Sequence, residues 1–202
     1  LQQEIEILLT PWSQGSDEHA ARDYRRRKDI VGTWYAWCEE LFCDAVGLTI
    51  GGPAFLHALD RYVRISDRIE YHAPHPKLAY RGHPIFRLRI KLLVHQAKEF
   101  KCTAVANQVE QNWASLAAVL RENEDYYGFY EEAYFPIIQK TLKKMVQEVG
   151  PYQFTDQDLR ADQWTPASTP VHLLNRAWSL YTTAPNHYAD WEQEIIDRFC
   201  GG

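Results

Sequence analysis

The chain has 202 residues, 46% of them hydrophobic and 13% aromatic, with a formal net charge of −5. That length and apolar content support a sizeable core in one or two domains, and the mild acidity argues against nucleic-acid binding as the main activity, because neutralising phosphates needs a basic surface. No apolar run reaches the roughly 18 residues of a membrane-spanning helix, and no secretory leader is legible.

Residues 1–9 read as the end of a helix or strand, punctuated by Pro11 and Gly15. They start in mid-pattern at Leu1, as expected of a fragment of a longer protein. Ser16 or Asp17 can cap a helix that begins at Glu18 and His19. Its basic run, Arg25 to Lys28, reads as a solvated face. Gly32 is expected to break or bend the chain. A helix through Trp37, Leu41, Phe42, Ala45 and Val46 then runs to about Leu48, where Gly51–Gly52–Pro53 ends it. Pro53 suits the first turn of the next helix, Ala54 to about Ile65, whose Phe55, Leu56, Leu59 and Val63 recur at helical spacing.

Residues 66–82 read as a loop holding His72 and His75. His83–Pro84 opens a helix from Ile85 to about Phe100, with Pro84 expected in its first turn. Further helices are predicted from Thr103 to Arg121 and from Tyr127 to Val149. The latter should be kinked or split at Pro136 and ended by Gly150–Pro151. Residues 152–169 read as a loop with a short turn capped by Thr155. Helices starting at Pro170 and Pro185 complete the chain. With no strand pattern and no repeat, the fold class is all-α, a multi-helix bundle. Cys38, Cys43, Cys102 and Cys200 form no C-x-x-C pair. They read as reduced thiols of a cytoplasmic protein rather than a zinc ribbon.

Glu40 and Asp44 are one helical turn apart, so they share a face that is otherwise bordered by apolar residues. Partly buried carboxylates need a partner, and a metal or a metal-bound histidine would supply one. Arg89, six residues after His83, could pair with an acid and brace two helices. The plainer readings remain open: Glu40 and Asp44 as a solvent-facing stripe, and His83 as a helix-opening residue. A loop metal site using His72, His75 and His83 is a third possibility.

The segment from Trp37 to Leu93 resembles the HtpX-like branch of the gluzincin zinc peptidases. The resemblance rests on Glu40-x-x-x-Asp44, with Cys43 where that family prefers alanine, and on His83–Pro84 followed by Arg89 and an apolar helix. It implies Glu40 as the third zinc ligand and Asp44 as the acid that holds a zinc-ligating histidine. It also implies His83 as the active-site histidine beside the metal, and Arg89 as a structural brace. The family's H-E-x-x-H helix is not in the chain, so two zinc ligands and the general base are expected upstream of Leu1 or on a partner chain. On this reading residues 1–100 are a peptidase-like, zincin-like helical region and residues 101–202 a helical accessory region packed on it. The substrate is a protein or peptide and zinc is the cofactor. The alternative is a catalytically inactive α-helical module for protein–protein interaction.

Overall fold

The computed structural model describes residues 17–65, 83–120, 129–159 and 169–200. The expectations for residues 1–16, for the 66–82 loop with its His72 and His75, and for Tyr127 lie outside them. The described residues form helices with no strand, so the chain is an all-α multi-helix protein. None of these helices is long and apolar enough to cross a membrane.

The first helix, α1, runs unbroken from Asp17 to Gly51, 35 residues. Gly32 does not interrupt it. That glycine is exposed and open space surrounds it. Its cost of about 1 kcal/mol relative to alanine is outweighed by the stripe on either side. Ile30, Trp34, Trp37, Leu41, Ala45 and Leu48 follow at helical spacing and are all buried. Gly52 stops the helix in the left-handed region (φ +60), with its N–H bonded to the carbonyl of Leu48 at 2.9 Å. Pro53 then starts α2, Pro53–Ile65.

Helix α3 spans Phe86–Glu99. Pro84 lies before it rather than in its first turn, because Ile85 is extended (φ −63, ψ 143) and serves as the N-cap. Helix α4 is Thr103–Leu120. Pro136 splits the next predicted helix rather than kinking it. A 3₁₀ turn, Glu132–Tyr134, leads into α5, Phe135–Val149, with Pro136 in its opening turn, where a missing N–H is harmless. The predicted Thr155 turn is α6, Asp156–Leu159. Asp158 reaches back to accept from the Thr155 N–H and hydroxyl, both at 2.8 Å, as in a capping box. It also accepts from Tyr152 and from Thr169, each at 2.6 Å. Thr169 in turn caps α7, Pro170–Thr183, and α8, Pro185–Cys200, folds back on α7.

Two apolar clusters meet along α1 and α3. One joins Trp34, Trp37 and Leu41 of α1 to Leu88 and Leu92 of α3 and to Tyr134, Ile138 and Leu142 around α5. The other joins Leu48 and Leu56 to Ile90, Leu93 and Ala97, and is closed by Ala106, Val109 and Trp113 of α4. Both clusters therefore draw residues from either half of the chain. Asn175 of α7 locks the α1–α2 corner. Its amide donates to the Gly51 carbonyl and accepts from the Ala54 N–H, both at 3.0 Å. Those are two backbone groups that helix ends leave orphaned.

Candidate functional site

Leu41, Ala45 and Leu48 turn α1 toward the core, which points the neighbouring Glu40–Asp44 face at α3. On α3, Arg89 sits between the buried Leu88 and Ile90. Its Nε donates to Asp44 Oδ2 and its Nη2 to Asp44 Oδ1, both at 2.7 Å. This is the two-pronged geometry in which a guanidinium matches a carboxylate best. The side chains are 11% and 6% exposed, so the pair is largely out of water. Burial pushes the Asp44 carboxyl up, and the Arg89 hydrogen bonds only partly pull it back. Burial opposes charge on Arg89 too, but Asp44 and then Glu40 more than offset it and raise its pKa, so Arg89 is cationic.

Glu40 stands one turn earlier, nearer the surface. Its Oε1 is 3.2 Å from His83 Nδ1, and its Oε2 is 3.7 Å from Arg89 Nη2. Its side chain is 34% exposed and that of His83 is 73% exposed. The arrangement is therefore layered. A buried ion pair, Asp44–Arg89, fixes α1 against α3, and above it a carboxylate and an imidazole face solvent side by side. The layer continues inward at Gln96, seven residues after Arg89. Its amide donates to the Ala45 carbonyl at 3.0 Å and to the Thr49 hydroxyl at 3.1 Å.

All four residues singled out in the sequence, Glu40, Asp44, His83 and Arg89, thus lie in one cluster across the α1–α3 seam. Both Asp44 oxygens are taken by Arg89 in this arrangement. Gln96 is the member that the sequence reading missed. It follows Arg89 by two helical turns, and that spacing was the available signal.

Zinc is matched by carboxylate oxygen and imidazole nitrogen, and a site with catalytic capacity holds three protein ligands plus water. Glu40 and His83 supply donors of the right chemistry, and the Glu40 carboxylate is accessible. Among the described residues no group of three or more His, Cys, Asp or Glu is placed to hold a metal ion. Glu40 and His83 are two such donors, short of the three that a catalytic zinc site needs. Cys38, Cys43 and Cys102 carry free thiols, and Cys38 faces Met145 of α5 at 3.9 Å.

The fold and the seam define an all-α bundle with a carboxylate–imidazole pair held on a buried ion pair. The chain matches no family profile, no curated protein and no solved structure.

Proposed function

We propose that this chain provides the carboxylate side of a zinc-dependent peptidase, with Glu40 as the third protein ligand. The observation that carries the reading is the layered cluster. Of its two carboxylates, Asp44 is consumed by Arg89 and Glu40 keeps an accessible face beside His83. Two histidines and a general-base glutamate would come from residues preceding Leu1 in the complete protein, or from a partner chain.

Each residue then has a distinct job. Arg89 and Asp44 hold the Glu40 turn at a fixed distance from α3, which removes freedom that a metal ligand would otherwise lose on binding. His83, at the exposed edge, can donate an imidazole N–H to the oxyanion of a tetrahedral intermediate. Zinc, when bound, supplies a water acidic enough to attack a peptide carbonyl at neutral pH. The helices from α4 onward act as the accessory region, closing the core behind α3 and shaping the approach of a protein or peptide substrate.

The complete protein, with any residues preceding Leu1, should hydrolyse an unfolded protein substrate such as casein. A chelator should stop the reaction and added zinc should restore it. Glu40→Ala should abolish the activity without changing the helical circular dichroism. A complete protein that binds no zinc and cleaves nothing would leave the inactive interaction module as the reading.

A further inference from the structure

Helices α3 and α5 both pack on α1. Between them lies a cavity of about 270 Å³. Its wall is apolar, made by Leu41 of α1, Leu92 of α3, and Leu142 and Val146 of α5. His95 and Gln153 also line the cavity, while three of the polar groups set into that wall are already matched. Arg89 is held by Asp44, the Gln96 amide by Ala45 and Thr49, and the Thr49 hydroxyl by the Ala45 carbonyl at 2.7 Å. The Leu41, Leu92, Leu142 and Val146 side of the cavity therefore offers hydrocarbon contact and favours an apolar body.

The α5 lip differs in kind. Gln139, Lys143 and Gln147 follow at four-residue intervals and form one stripe along the cavity's edge. Among the described residues none of the three has a side-chain hydrogen bond or ion pair. A lone ammonium flanked by two amides is suited to a carboxylate, which accepts from all three. Glu99, at the end of the α3 lip, also lines the cavity and carries the opposite charge.

We propose that this cavity binds a small apolar carboxylate, an alkanoate of about ten carbons by the volume that interior packing allows. Its head rests on Lys143 between Gln139 and Gln147, and its chain runs over Leu92, Leu142 and Val146. The site is separate from the Glu40–His83 pair and needs no metal, so it stands or falls independently of the peptidase reading.

Isothermal titration calorimetry with decanoate, kept below its micellar concentration, tests it. The expected result is saturable binding with one molecule per chain. Lys143→Ala weakens it about tenfold, the cost of one charge-assisted contact, and Lys143→Arg retains it. Val146→Trp, which fills the cavity, removes it while the circular dichroism is unchanged. Decylammonium and 1-decanol bind at least about tenfold more weakly, for want of that same contact. No saturable binding of decanoate, equal binding of decylammonium, or an unchanged affinity in Lys143→Ala would each overturn the proposal. The lysine variants keep the test decisive if Val146→Trp does not fold.

Discussion

Removing one partner of the Asp44–Arg89 pair should be far more damaging than removing both. Arg89→Leu leaves the Asp44 carboxylate, 6% exposed, without either of its 2.7 Å donors. Stranding a buried charge in this way costs about 3–5 kcal/mol. Asp44→Leu should cost less, about 2–3 kcal/mol, because Arg89 can still turn to the partly exposed Glu40, now 3.7 Å away. The double variant replaces the pair with apolar side chains in a seam already lined by leucines, so it should cost about 1 kcal/mol or less, and its loss should fall short of the sum by about 4 kcal/mol or more. Urea unfolding followed by tryptophan fluorescence can read this, since Trp34 and Trp37 are buried beside the seam. Losses that add to within about 0.5 kcal/mol, the range for independent sites, would refute the idea that this pair clamps α1 to α3. A cost below about 1 kcal/mol for Arg89→Leu, as for an exposed pair, would do the same.

Asp158 supplies a pH test away from the candidate site. Burial works against its charge, but hydrogen bonds from Thr169, Tyr152 and Thr155 outweigh that and bring its carboxyl from 3.8 to about 2. A depressed folded-state value means stability that is present above the unfolded value and lost as pH falls through the folded one. The contribution is about 1–2 kcal/mol, the lower figure allowing for solvent screening. The gap in unfolding free energy between the native chain and Asp158→Asn should therefore narrow between about pH 5 and pH 2, where this linkage acts. A constant gap would contradict it. Two glycines at φ +60 separate backbone strain from crowding. Gly150→Ala, with its nearest neighbour 4.0 Å from the new methyl group, should cost about 1 kcal/mol. Gly52→Ala would place that methyl 3.1 Å from the buried Phe154 ring and should cost about 2 kcal/mol or more. Thermal unfolding that ranks the two the other way would be inconsistent with this geometry.

Local chemistry made most of the helical order legible. Pro53, Pro170 and Pro185 open helices because they lack an N–H that a first turn does not use, and Gly150 closes one because it takes a left-handed conformation freely. The same logic misread Gly32, where burial of Trp34 and Trp37 overrides a weak local preference. It also placed Pro84 one step too far into α3. Spacing put Glu40 and Asp44 on one face. It could not show that Arg89, 45 residues on, would take both oxygens of Asp44. Nor could it show that Asn175 would cap the α1–α2 corner, or that Trp113 would donate to the buried Asp60 at 2.6 Å. These partners are chosen by packing between distant segments, which leaves no period in the sequence. The cavity beside α5 has the same origin, since its lining is drawn from α1, α3 and α5.

Glu40 is proposed to face a metal. The most direct test is the zinc stoichiometry of the complete protein, including any residues preceding Leu1, measured by mass spectrometry under native conditions. One zinc per chain is expected in the native protein. Glu40→Gln should retain the fold by circular dichroism and lose the metal. Full zinc occupancy in Glu40→Gln, or none in the native protein, would contradict the assignment and return Glu40 and His83 to an ordinary polar contact at the edge of a helical seam.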